Sequence, residues 1–225
     1  AYDHFGIYSR YYKSILENHY AHNQTYYVCG VPRSDIVYGF TKISKCNSNT
    51  VSKIKERYRL VTAFDFGGKV PYFSEDIFSE QIVIRFYQGL FALLKEHNDI
   101  FIISKIRNSA TLKEYADNPM YRTLQQHISE QPRLRLEWEL NTYKLIAESD
   151  MLITNNISTT GIEALAAKKK VIFYDLWHIP QHIGTRFGIV AHNEQELQNT
   201  FRRVYSGTGD YEWEKIHTEL CGGYF

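Results

Sequence analysis

Beyond about residue 58 the chain alternates between short runs that are apolar throughout and longer stretches with an apolar residue every three or four positions. Leu60-Val61-Thr62-Ala63-Phe64 reads as a buried strand. Ile82, Val83, Phe86, Leu90, Leu93, Leu94 and His97 then recur at helical spacing. Ile100-Phe101-Ile102-Ile103 is a continuous apolar run short enough for a central strand. A weaker helical pattern covers roughly Leu112 to Ile128, interrupted at Asn118-Pro119. Leu134 to Trp138 alternates, as in a strand with one polar face. A helix over Asn141 to Ser149 follows, then a strand at Met151-Leu152-Ile153-Thr154, a helix over Thr160 to Ala167 and a strand at Val171 to Tyr174. Gly188 to Ala191 forms a further short strand, before a helix whose Leu197, Phe201 and Val204 share a face.

Strands that are apolar on both faces and separated by helices belong in a parallel sheet. Right-handed crossovers then give a doubly wound, Rossmann-like α/β domain of about six parallel strands with helices on both faces. The predicted division is a lead-in at 1–57 and the Rossmann-like domain at 58–225. In the lead-in, Ile7, Tyr8, Tyr11, Ile15 and Leu16 predict a helix, and Tyr26-Tyr27-Val28-Cys29 a strand ending at Gly30-Val31-Pro32-Arg33. Lys42 to Asn49 reads as a loop. A segment this short has too little core to stand as a separate fold.

The 225 residues carry 44% apolar and 23% charged side chains and a formal charge of +1. That balance gives no general pull toward a polyanion, so nucleic acid is not an expected partner. Cys29, Cys46 and Cys221 are widely spaced and odd in number, with no metal-ligand spacing, which favours a reducing compartment. No signal peptide and no run of membrane-spanning length is present. The chain opens at Ala1 without a methionine, and a fragment of a longer protein is expected.

Ligands of open α/β sheets bind where strand carboxyl ends meet helix amino ends. Ser158-Thr159-Thr160-Gly161-Ile162-Glu163 follows an apolar strand and opens a helix, so its first N–H groups and partial positive charge suit a phosphate. The three hydroxyl residues add donors, Gly161 admits close approach, and Glu163 lies where a carboxylate can take a ribose diol. The plainer alternative is an N-cap at Ser158 or Thr159 with Glu163 completing a capping box. A second loop, Ser104-Lys105-Ile106-Arg107-Asn108, places Lys105 and Arg107 at a strand end, where they can neutralise a diphosphate or form a solvated pair. A third, Asp65-Phe66-Gly67-Gly68-Lys69, fits either a phosphate approach by Gly67, Gly68 and Lys69 or a tight turn. His178 and His182 flank Pro180 with no third ligand in view. A substrate-bordering loop suits them better than a metal, and no metal is expected. Glu137 and Glu139 flank Trp138 on what alternation makes an exposed strand face.

Three of these residue sets carry a family resemblance. Gly30-Val31-Pro32-Arg33-Ser34-Asp35, Ile102 to Arg107, and Ser158 to Leu165 followed by Lys170 to Asp175 resemble the C-terminal, donor-binding half of GT-B glycosyltransferases. The narrower likeness is to the capsule, surface-polysaccharide and teichoic-acid glycerophosphotransferase branch. The resemblance implies donor phosphate on Ser158, Thr159 and Thr160 and the ribose on Glu163. The histidine common at the basic strand end in the glycerophosphotransferases is missing here. It implies a nucleotide-sugar donor, a glycan or lipid-linked glycan acceptor, no cofactor or metal, and a missing N-terminal half that carries the acceptor site. Transfer to a growing cell-surface polysaccharide then belongs in the cytoplasm, peripheral to membrane assembly machinery at the inner face. A nucleotide-sugar 2-epimerase-like enzyme and a non-catalytic nucleotide- or polysaccharide-binding module are the alternatives.

Overall fold

The computed structural model describes residues 4–7, 9–19, 24–43, 49–65, 76–178, 188–207 and 213–221. The N-terminal part contains β1 (His4–Ile7), α1 (Arg10–His19), β2 (Thr25–Val28), α2 (Ser34–Ile43) and α3 (Asn49–Lys55). Alternation then sets in with β3 (Arg59–Phe64), α4 (Asp76–Glu96), β4 (Ile100–Lys105), α5 (Ser109–Asp117), α6 (Arg122–Glu130) and β5 (Leu134–Glu137). It continues through α7 (Thr142–Glu148), β6 (Met151–Asn155), α8 (Thr159–Ala166), β7 (Val171–Tyr174), β8 (Val190–Ala191), α9 (Glu194–Ser206) and α10 (Trp213–Cys221). The break anticipated at Asn118-Pro119 is a 3-10 turn at Pro119–Tyr121, whose proline sits at the start where its missing N–H costs nothing.

β3 to β8 form one six-stranded sheet in the order β5-β4-β3-β6-β7-β8, with every pairing parallel. The chain runs outward from β3 to β5, returns to β6 beside β3, and runs outward the other way. That is the doubly wound order, and it opens a crevice between the carboxyl ends of β3 and β6. Alternate strand residues feed opposite cores. Val61, Ala63, Ile102, Met151, Ile153 and Ile172 meet α4, α5, α6 and α9 on one face. On the other, Leu152, Val171 and Phe173 meet Val37 of α2, Ile146 of α7, Ile162 and Leu165 of α8, and Ile216 and Leu220 of α10. A smaller cluster of Val51, Leu60, Ile103 and Leu145 lies under α3 and α7.

The lead-in differs from its sequence reading. Ile7 is not the start of a helix but the end of β1, paired with Val28 in a separate two-stranded parallel sheet of β1 and β2. A four-residue strand reading His4-Phe5-Gly6-Ile7 has too few positions for a period to show. α2 runs on to Ile43 and α3 begins at Asn49, so both ends of the expected loop are helical; 44–48 lie outside the described residues.

Candidate functional site at the carboxyl edge of the sheet

Polar side chains in the sheet gather at its carboxyl edge. Asp65 after β3, Ser104 and Lys105 at the end of β4, Glu137 closing β5, Asn155 closing β6 and Asp175 after β7 are all buried. Burying that many polar groups is costly unless each has a partner or a ligand.

The Ser158 turn is a strand-to-helix turn. Asn156 leaves β6 at φ 72°. Its Oδ1 accepts from the Ile157 N–H at 2.5 Å, and its carbonyl accepts from Thr154 Oγ1 at 2.7 Å. Asn is one of the few non-glycine residues that adopts this left-handed geometry readily. Ser158 is the N-cap of α8, its Oγ accepting from the Gly161 N–H at 3.1 Å. The Thr159 and Thr160 N–H groups belong to the first helical turn, which has no intrahelical acceptor for them. Glu163 is the fifth residue beyond the cap, so the capping-box alternative fails: that role belongs to the third position, held here by Gly161.

Gly161 serves packing. A Cβ there would stand 2.4 Å from the Phe173 ring, so glycine is what lets α8 lie against β7. Its N–H is already given to Ser158. The glycine thus brings the helix end close to the sheet rather than opening a path for a ligand.

Glu163 is 5% exposed, and its Oε1 lies 3.6 Å from Arg33 Nη1, on a guanidinium whose side chain is 68% exposed. Burial pushes the Glu163 carboxyl above its ordinary value, against the pull of Arg33. Arg33 comes from the Gly30-Val31-Pro32-Arg33 turn after β2, where Gly30 takes φ 70°. Two of the three resembling motifs therefore meet at one ion pair.

Lys105 and Arg107 diverge. The Lys105 ammonium is buried and donates to the Trp138 carbonyl, in the loop between β5 and α7. Burial lowers its pKa, opposed by Glu137. Arg107 is exposed two residues beyond the end of β4. Glu137 is a correction to the exposed-face reading. The strand ends at Glu137, and its buried carboxylate accepts from the Glu139 and Leu140 N–H groups at 2.8 and 3.2 Å and pairs with Arg135 at 3.1 Å.

Sequence reasoning missed the cluster at the switch point itself. Asp65 Oδ2 accepts from Tyr87 Oη at 2.9 Å and Tyr115 Oη at 2.5 Å. Tyr87 Oη also lies 2.9 Å from Ser104 Oγ, and because the phenol proton goes to Asp65, Ser104 donates. Burial, reinforced by the Asp65 charge, pushes both phenols well above their usual range. The available signal was a tyrosine inside the α4 apolar stripe, whose hydroxyl needs a buried partner. Asn155 was also passed over; it is 3% exposed and its Oδ1 has no hydrogen-bond partner among the described residues.

His178, at φ 52°, stacks on His192 with ring centroids 5.0 Å apart. His192 Nδ1 lies 3.1 Å from the Asp175 carbonyl and 3.6 Å from its Oδ2. His178 thus borders the same edge, at the ends of β7 and β8. Gly67, Gly68, Lys69 and His182 lie outside the described residues. Among the described residues no cluster of three or more His, Cys, Asp or Glu could hold a metal ion, and no helix is long and apolar enough to cross a membrane.

A six-stranded parallel sheet in this order, with its polar edge at a strand-to-helix turn, is a doubly wound, Rossmann-like fold that matches GT-B neighbours. The chain belongs to the family described as polysaccharide biosynthesis PFTS motif protein, whose model matches residues 1–201. It is similar in fold to the Methanocaldococcus jannaschii UDP-GlcNAc 2-epimerase in complex with UDP-GlcNAc and UDP. Identity there is 14% and the TM-score 0.64, over 90% of this chain and 54% of that one. It is likewise similar to S. aureus MnaA in a co-structure with UDP (16%, TM-score 0.61, 99% of this chain and 55% of that one). The wall teichoic acid polymerase TagF matches at 12% with a TM-score of 0.54, over 98% of this chain and 54% of that one. The chain thus spans about half the length of these structures. No curated protein matches it.

Proposed function

We propose that this chain is the donor-binding half of a glycosyltransferase that passes a sugar from a nucleotide-sugar donor to a growing cell-surface polysaccharide. The observation that carries the reading is the meeting of Arg33 and Glu163 beside the capped start of α8, at the carboxyl edge of the sheet. The first-turn N–H groups of α8 and the Ser158, Thr159 and Thr160 hydroxyls receive the diphosphate, with Arg33 and Arg107 as the exposed cations that approach it. Glu163 takes the ribose diol, and Asn155 Oδ1 is a buried acceptor for a donor hydroxyl or amide.

The chemistry is a displacement at the anomeric carbon. The acceptor oxygen forms the new bond, the bond from that carbon to the donor phosphate oxygen breaks, and its electron pair leaves with the nucleoside diphosphate. The acceptor proton passes to a base on the acceptor side. Oriented N–H groups and guanidinium groups stabilise the charge that develops on the leaving phosphate, so no divalent cation is required.

An epimerase reading draws support from the fold shared with the Methanocaldococcus jannaschii UDP-GlcNAc 2-epimerase. Product analysis of the full-length protein with UDP-sugars separates the two. Transfer yields UDP and a longer glycan only when acceptor is added, whereas an epimerase yields a second UDP-sugar with no acceptor. A non-catalytic module gives neither product.

A further inference from the structure

A second concave surface, of about 640 Å³, lies at the opposite, amino end of the strands. Both crossovers that leave β3 and β4 pack on the α4 face, so the other face of β4 and β5 is covered by little more than α3 and the end of α7. The cluster beneath it is small, and Ile54 and Phe101 pack against it only half-buried. Tyr58 tilts against Phe101 with ring centroids 5.9 Å apart. Together Ile54 and these two rings make an apolar floor. Lys53, Arg57 and Arg135 stand around it, with Glu56 the one carboxylate among the lining residues. Lys53 and Arg57 are exposed, and Arg135 keeps 48% of its side chain exposed beside Glu137.

Arg135 already shares its charge with Glu137, so Lys53 and Arg57 against Glu56 leave a smaller but local excess of positive charge at the groove, in a chain whose formal charge is only +1. Aromatic rings present flat faces that suit the C–H side of a sugar ring, and guanidinium groups pair with carboxylates or phosphates in a planar fork. The rings form the floor of a hollow rather than a protruding patch, which fits a chain lying in a groove and not insertion into a lipid surface. Phe101 is the second residue of β4 and Lys105 the last, so about 13 Å of strand separates the groove from the carboxyl edge.

We propose that this groove binds an acidic glycan, one carrying carboxylate or phosphate groups, at a site separate from the donor crevice. Such a site tethers the polymer and raises its effective concentration at the enzyme without taking part in the chemistry. The inference stands apart from the donor reading, and its test keeps the two distinguishable.

The probe is a hexagalacturonate, titrated into the protein by calorimetry at physiological salt, with neutral maltohexaose and phosphatidylglycerol vesicles as parallel arms. Saturable binding of hexagalacturonate alone is expected, weakened at least tenfold by the paired charge reversals Lys53→Glu and Arg57→Glu. Because both residues are exposed, the variant is expected to melt with the wild type, and its affinity for UDP is expected to be unchanged. Phe101→Leu, which keeps the floor apolar but removes the ring, is expected to weaken the glycan several-fold. Equal affinity of the charge-reversed variant, equal binding of maltohexaose, preference for vesicles, or no binding of hexagalacturonate would each overturn the proposal.

Discussion

Arg33 Nη1 lies 3.6 Å from Glu163 Oε1, and this pair ties the turn after β2 to the first turns of α8. The carboxylate is buried and the guanidinium is mostly in water, so the two ends of the contact have different physics. Burial raises the Glu163 pKa more than the screened arginine lowers it. The proton is therefore held more tightly in the folded chain than in the unfolded one, and the carboxylate costs stability once it ionises. A ribose diol bonded to Glu163 would offset that cost by hydrogen bonding the charged form.

This relationship sets a pH dependence. The stability associated with protonated Glu163 is fully present below the ordinary carboxylate value of 4.5 and is lost as pH rises through the elevated folded value. Thermal melts of wild type and Glu163→Gln are expected to diverge in favour of the variant as pH rises through that window, and to be flat relative to each other above it. A difference that instead grows as pH falls would mean that Arg33 outweighs burial.

Gly161 is expected to tolerate no side chain. Gly161→Ala places a methyl 2.4 Å from Phe173 Cε1, inside the packed seam between α8 and β7. Overpacking of this kind costs about 1–3 kcal/mol. Phe173→Leu in the Gly161→Ala background is expected to recover part of the loss. Denaturant melts of the two singles and the double give the coupling directly, and simple additivity would refute the contact.

The Asp65 network is expected to be structural. Tyr115→Phe removes one of two phenol donors from a buried carboxylate, a loss of about 2 kcal/mol, or roughly 4–8 °C in Tm for a chain of this size. A Tm unchanged from wild type would show that Asp65 does not depend on this phenol.

Lys105 is expected to act on its own loop before any ligand. Lys105→Met removes the donor to the Trp138 carbonyl and one of the two cations beside buried Glu137, which keeps Arg135, at a cost of about 1.5–3 kcal/mol. UDP affinity is expected to change less than twofold, by calorimetry. A tenfold loss of affinity with unchanged stability would instead put Lys105 on the phosphate.

The sheet was legible because its central strands are buried on both faces and read as unbroken apolar runs, as in Ile100 to Ile103. The Ser158 turn was legible because strand, hydroxyl cap and helix follow one another within a few residues. What escaped depends on pairings far apart in sequence. Asp65 meets Tyr87 and Tyr115 across 22 and 50 residues, which no local period records. The direction of a buried lysine is equally silent in sequence, since Lys105 at a strand end could turn to the crevice or to the neighbouring loop. Glu137 misled through alternation, which holds only while the strand continues, and the strand stops there. β1 was hidden by its length.

The central claim is that the start of α8 binds the donor diphosphate while Glu163 holds its ribose. Titration of the chain with millimolar UDP, with and without EDTA and followed by amide NMR, tests both parts at once. The predicted result is saturable shifts at Thr159 and Thr160, indifferent to EDTA, with Kd about tenfold weaker in a folded Glu163→Ala variant, the equivalent of about 1.4 kcal/mol. UDP binding that leaves those amides unmoved and is equally tight in Glu163→Ala would contradict it.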